Sequence, residues 1–262
     1  MPLPSQLYLW DQRTLYIGPL SEPLQLSQGA ATLVVSLDHP VAFKTPEMEQ
    51  AFECNSLLLP PGMNITIDTQ GGTIANCNLD PMGADWAALT EQMKNNEGVI
   101  GYTLKAESFF QEKYLSSYQG QMQTDDAYNV LNELIEYAKQ RQKIPHKIDQ
   151  RILSVVDTIK SNVDNNISIE SLAEGINLSV PRLIQLFKIQ TGIPVRRYRL
   201  WHRLFVTAIN IGKGLSLTDA AVAAGFSDSA HFTNTFRAML GMTPTSIILQ
   251  PNSLRFNLPK SQ

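Results

Sequence analysis

One stretch of the chain repeats itself. The segment "SIESLAEGINLS" (168–179) can be laid over "SLTDAAVAAGFS" (216–227), with Ser168 on Ser216, Ala173 on Ala221 and Ser179 on Ser227. After a one-residue insertion in the second copy, Phe187 falls on Phe236, Lys188 on Arg237 and Gly192 on Gly241. Each copy reads as helix, tight turn, second helix, stop. Ser168 and Ser216 stand where they can cap the first helices, and Ser216 with Asp219 approximates a capping box. Asn177 and Gly225 fall at equivalent turn positions, and these residue types best tolerate positive φ. Ser179 and Ser227 are placed to cap the second helices, Gly192 and Gly241 to end them, and Pro194 and Pro244 to prevent continuation. Leu172, Ile176, Leu178, Leu183 and Phe187 can close a small core, matched in the second copy by Ala220, Val222, Phe226, Phe232 and Phe236.

Two short helices joined at a steep angle leave the second one proud of the surface, where it fits a DNA major groove. The competing reading is a helical repeat that packs only against itself or another protein. Charge favours the first. Before residue 143 the chain has seven bases against 17 acids, a net −10. From Lys143 onward it has 14 bases against seven acids, a net +7, and the two halves together make the overall −3. A basic half joined to an acidic one suggests that one part alone binds nucleic acid.

Residues 1–82 read as many short strands separated by turn signals such as "PPG" and "QGG", which suggests a small barrel or a double-sheet sandwich. Residues 83–118 read as helical, and a helix at about 126–142 aligns Ala127, Leu131, Leu134 and Ala138. That stripe either pairs two copies into a homodimer or packs across the barrel. The polar, basic "QRQKIPHK" supplies a linker at 143–148. Helices follow over 149–250, then an irregular tail at 251–262. The expected fold is thus two-domain α+β: a β-barrel with following helices over 1–142, then an all-α domain.

Enzyme chemistry is poorly supported. The four histidines, His39, His146, His202 and His231, form no His-x-His, and there is no G-x-S-x-G or Walker loop. No metal or cofactor is expected. Cys54 and Cys77 lack a C-x-x-C spacing and read as reduced thiols. No apolar run reaches membrane-spanning length, and "MPLPSQLYLWDQ" lacks a basic region followed by an apolar one, so no membrane association and a cytoplasmic location are expected.

The segment "AAGFSDSAHFTNTFRAMLGMTP" (223–244) carries a more specific signal. With Ala221 it fits A-x-x-x-G-F-S-D-x-x-x-F-x-x-x-F-R/K-x-x-x-G-x-x-P at Gly225, Phe226, Ser227, Asp228, Phe232, Phe236, Arg237, Gly241 and Pro244. Residues 149–250 thereby resemble the DNA-binding domain of the arabinose-regulator (AraC/XylS) family of bacterial transcription factors. The chain departs from the family's frequent Tyr-Arg at Ile247 and Ile248, and from a frequent mid-helix Arg at Asn234.

The resemblance implies two helix-turn-helix units bridged by one long helix, here about Arg196 to Ile211. Its apolar stripe of Tyr198, Trp201, Phe205 and Ala208 would pack between the units. Expected base contacts are Pro181, Arg182, Ile184 and Gln185 from the first unit and Ser229, Ala230, His231 and Asn234 from the second. Ser179, Lys188, Ser227, Thr233 and Arg237 are expected at phosphates. The resemblance also implies a cupin-like N-terminal domain that senses a small-molecule effector or mediates dimerisation, with double-stranded promoter DNA and RNA polymerase as partners. Trp10, Tyr16, Phe43 and Cys54 could line an effector pocket, or serve as plain core. The alternative is a constitutive regulator whose N-terminal half serves assembly or protein contacts.

Overall fold

A computed structural model describes residues 3–20, 22–79, 82–120, 122–141, 147–247 and 254–258. The first nine strands are β1 (Ser5–Leu9), β2 (Thr14–Pro19), β3 (Leu24–Leu26), β4 (Thr32–Ser36), β5 (Val41–Lys44), β6 (Phe52–Cys54), β7 (Ser56–Leu59), β8 (Ile65–Asp68) and β9 (Thr73–Asn78). Helix α1 (Ala84–Thr90), the hairpin of β10 (Met93–Glu97) and β11 (Ile100–Leu104), α2 (Glu107–Gly120) and α3 (Thr124–Gln140) complete the N-terminal domain. The helical domain runs through α4 (Gln150–Ser161), α5 (Ile169–Glu174), α6 (Val180–Thr191), α7 (Val195–Gly212), α8 (Leu217–Ala223), α9 (Ser229–Leu240) and α10 (Pro244–Ile247). A last strand, β12 (Leu254–Asn257), then returns to the N-terminal domain.

Among the described residues the strands form two sheets, ordered β10-β11-β7-β4-β9-β2-β1-β12 and β3-β8-β5-β6. Side chains alternate across a strand, so the larger sheet has two distinct faces. One carries Tyr8, Leu15, Ile17, Leu33, Val35, Ala75 and Cys77 and is roofed by α1, α2 and α3. The other presents Val34, Leu57, Leu59 and Ile74 to Phe43, Ile65 and Ile67 of the smaller sheet. Along β1 and β2 that same face runs out beyond the smaller sheet, and there α7 and α9 of the helical domain cover it. A buried, two-pronged ion pair ties the roof down: Arg13 Nε and Nη2 donate to Asp85 of α1 at 2.7 and 2.9 Å.

The helical domain has two cores. Ile152, Val155, Leu172, Leu183, Phe187 and Tyr198 form one, joined by Met82 from the N-terminal domain. Leu204, Ala221, Phe226, Phe232, Phe236 and Met239 form the other. Helix α7 contributes to both. Ser168 accepts from Ser171 N and Ser216 from Asp219 N, the expected caps. Asn177 and Gly225 both have positive φ, at 54° and 85°.

Three expectations need correction, and one choice between two readings, that of the α3 stripe, is resolved as packing within the domain. Residues 93–104 form a hairpin rather than helix; its turn passes through Gly98, whose φ is positive, and Gly101 leaves room for Met93 of the paired strand. The stripe Ala127, Leu131, Leu134 and Ala138 of α3 is buried against the larger sheet, so it offers no surface to a second copy. Val222 is exposed, not core, because the short α8 buries the Ala220 and Ala221 side. The C-terminal tail is not irregular throughout: Leu254–Asn257 pairs in parallel with β1, Ser5 opposite Leu254. Part of the expected linker, 143–146, lies outside the described residues.

Gly225 is the tightest of the turn positions, since a Cβ there would sit 2.5 Å from the Val163 carbonyl oxygen. Gly225→Ala combines that clash with a left-handed backbone. It should destabilise the protein by about 2 kcal/mol or more, seen as a drop of roughly 4–8 °C in calorimetric Tm.

Candidate nucleic-acid interface and interdomain cavity

Helix α6 sorts its residues cleanly. Leu183, Leu186 and Phe187 face the core, while Pro181, Arg182, Ile184, Gln185 and Lys188 are exposed. Pro181 sits in the first turn, where its missing N–H costs nothing. Arg182 Nη1 donates to Gln185 Oε1 at 2.7 Å, so these two side chains reach solvent as one hydrogen-bonded pair. Ile189, 65% exposed, extends the same face toward the helix end. Sequence reasoning missed it, and its signal was the i+4 spacing from Gln185. Ser179 is exposed at the helix start but its hydroxyl makes no cap bond.

Helix α9 follows the same plan. Phe232 and Phe236 pack with Phe226, leaving Ser229, Ala230, Asn234 and Arg237 exposed and His231 and Thr233 half-buried. The cap is Asp228, one residue later than expected: its Oδ1 accepts from His231 N at 2.7 Å. An aspartate here also places negative charge at the positive end of the helix dipole. Ser227 instead donates to Asp228 Oδ2 at 2.9 Å and lies 3.2 Å from His231 Nδ1. The His231 ring also stands edge-on to Phe226, with centroids 5.2 Å apart, so it is held rather than free to search.

The basic run of α7 divides. Arg196 is exposed. Arg197 bonds the Ser27 carbonyl and hydroxyl, Arg199 bonds Asn166 and the Ile167 carbonyl, and Arg203 donates to the Val163 carbonyl. These three brace loops within the protein.

The expected stripe of α7 does not pack between the two units as a whole. Tyr198 enters the first core, but Trp201, Phe205 and Ala208 face the N-terminal sheet across a cavity of about 150 Å³. Leu7, Leu9, Tyr16 and Asn76 line its sheet side, Phe236 and Leu240 of α9 extend its helix side, and β12 adds Leu254 and Phe256. Around it the domains touch closely. Met239 O accepts from Ser27 N at 3.3 Å, and a Cβ on Gly29 would meet Trp201 at 2.4 Å.

Of the four side chains expected for an effector pocket, Tyr16 lines this cavity. Trp10 lies on the opposite face of the sheet, stacked on Tyr8, while Phe43 and Cys54 fill the space between the sheets. The four do not form one site, because strand alternation and burial distribute them over two separate cores. Burial pushes the thiols of Cys54 and Cys77 up to about 12, so both are protonated and unreactive at neutral pH.

Comparison with known proteins agrees with this geometry. Residues 172–248 match a family model described as a helix-turn-helix domain. A probable transcriptional regulator, LumQ of Photobacterium leiognathi, is 30% identical over 101 residues; the match spans 38% of this chain and 41% of LumQ. A single-residue variant of apo ToxT from Vibrio cholerae superimposes with a TM-score of 0.62 at 8% identity, covering 91% of this chain and 97% of ToxT. Wild-type ToxT bound to an unsaturated fatty acid gives 0.57 at 11% identity, with 91% and 95% covered. Residues 172–248 are thus a helix-turn-helix domain, and the two-domain fold is that of ToxT.

The Asp228 cap has a pH signature. The backbone N–H of His231, then the Ser227 hydroxyl, hold its carboxyl below the ordinary aspartate value. A lowered folded pKa stabilises above the unfolded pKa and is lost as pH falls through the folded one. Asp228→Ala should therefore lower Tm at pH 7, and the gap from the parent protein should close in acid, below the usual carboxylate range. Calorimetry from pH 7 down to pH 3 checks this.

Proposed function

We propose that this protein is a sequence-specific DNA-binding transcriptional regulator, controlled by a small apolar molecule in the cavity between its domains. The observation that carries the DNA reading is the repeated outward face: two second helices, α6 and α9, each with its aromatic side buried and its polar side bare. Bridged by α7, they would enter successive major grooves about one turn, roughly 34 Å, apart. Gln185 steadies the Arg182 guanidinium, which then presents a fork to guanine O6 and N7. Asn234 suits adenine, Pro181 and Ile184 suit thymine methyls, and Ser229, Ala230 and His231 lie at the same groove. Ser179, Lys188, Ser227, Thr233 and Arg237 hold phosphates, which position without specifying. RNA polymerase is the further partner such a regulator would address at a promoter.

Ligand control draws support from where the cavity sits. Its walls come from the N-terminal sheet, from α7 and from α9, so an occupant contacts the frame that sets the second reading helix. A ligand regulates only through unequal affinity for two forms, and a cavity shared between domains makes that inequality natural. ToxT shares the fold and has been solved with a fatty acid bound. At 11% identity that likeness concerns the fold, and the apolar lining is what argues for an apolar ligand here.

The test is fluorescence anisotropy of the full chain on DNA upstream of its own gene, against random competitor, at several salt concentrations. Arg182→Ala should cost about 1–3 kcal/mol of specific binding and relax the preference at one base position. Lys188→Ala should weaken binding to all sequences alike and reduce the salt slope by about one. Equal affinity for upstream and random DNA would reject the reading.

A further inference from the structure

The described lining of the cavity carries no charge. Its polar side chains are Thr14, Tyr16, Gln28, Asn76 and Asn78, and among the described residues no Lys, Arg, His, Asp or Glu lines it. Most of these polar groups are already engaged. Asn78 Nδ2 donates to Thr14 Oγ1 at 2.8 Å, and Thr32 Oγ1 donates to Asn78 Oδ1 at 3.1 Å while contacting Gln28. The Tyr16 hydroxyl donates to the Pro19 carbonyl at 2.8 Å. Asn76 differs: its Oδ1 is buried and has no hydrogen-bond partner among the described residues. In the sheet Asn76 stands opposite Tyr16 and Val34, on the face that turns Thr14 and Asn78 toward the helices. The half-buried arginines of α7 bond Ser27, Ile167 and Val163 and none of them lines the cavity, although Arg197 Nε is itself buried without a partner among the described residues.

A buried acceptor without a donor is a standing cost, and a buried anion without a cation is a larger one. Building on the ligand-controlled reading above, we propose that the cavity takes a small, uncharged, apolar molecule bearing a hydroxyl, which donates to Asn76 Oδ1, and that it discriminates against carboxylates. The size follows from the volume: a dry apolar cavity of about 150 Å³ accommodates benzene, and this one is partly open, so the ligand is a compact one of roughly six to ten heavy atoms.

Three probes of similar bulk separate the possibilities in calorimetric titrations of the full chain at pH 7.5: 1-octanol, octanoate and n-butylbenzene. Octanol should bind at least tenfold tighter than octanoate, and octanoate should gain affinity as lower pH protonates it. Asn76→Leu, which keeps the branched heavy-atom shape and removes the acceptor, should weaken octanol binding roughly five- to tenfold while leaving n-butylbenzene within about twofold. Thermal melts of the variant verify that it folds. Ala208→Phe, which fills the helix side of the cavity, should abolish all three. Octanoate binding as tightly as octanol would overturn the proposal while leaving ligand control intact. So would octanol binding that is unchanged in Asn76→Leu or that survives Ala208→Phe. No binding of any probe to the parent protein would remove the ligand site altogether, and the proposal with it.

Discussion

Helix α7 is wedged against three partners at once, and the arrangement of the molecule follows from that. Its first half completes the core around Phe187, its second half the core around Phe232, and a third side presses Trp201 onto the loop at Gly29. The absence of a side chain at Gly29 is what lets the helix come so close. Arg197 closes the same contact by bonding Ser27, whose own N–H reaches the end of α9. Neither α6 nor α9 can therefore shift relative to the sheet without disturbing α7 or the loop at 27–29. The cavity is the gap left where a helix of large side chains meets a flat strand surface.

The sheet divides its labour by strand alternation. The face under α1–α3 is a sealed core, pinned by the buried pairing of Arg13 with Asp85. The opposite face is apolar near the smaller sheet but carries Thr14, Asn76 and Asn78 where the helical domain approaches. Polar groups placed there cost stability unless satisfied. Asn78 is satisfied by Thr14 and Thr32, while the Asn76 oxygen has no partner among the described residues.

What the sequence disclosed was local. Caps at Ser168 and Ser216, positive φ at Asn177 and Gly225, and stops at Gly192 and Gly241 are written into single positions, so the repeat could be read without a structure. The outward residues of α6 and α9 followed from helical spacing. The cap at Asp228 instead of Ser227 was a choice between adjacent residues that pattern alone does not make. The hairpin at 93–104 was obscured because β11 buries its residues against β7, far off in sequence. The cavity was invisible because its walls come from strands and helices nearly two hundred residues apart, and four aromatic or thiol side chains gave no hint of which face each would take.

The pairing of the first strand with the last carries a consequence for how the protein is made. Gln6 and Asn257, bonded across β1 and β12, are 251 residues apart. At ribosomal rates of about 5–20 residues per second, on the order of ten to fifty seconds pass between synthesis of the two partners. Throughout that interval β1 has an open edge, the sort of edge along which nascent chains associate wrongly. Completion of the sheet, and with it the wall that Leu254 and Phe256 give the cavity, is thus a late event in the life of each molecule.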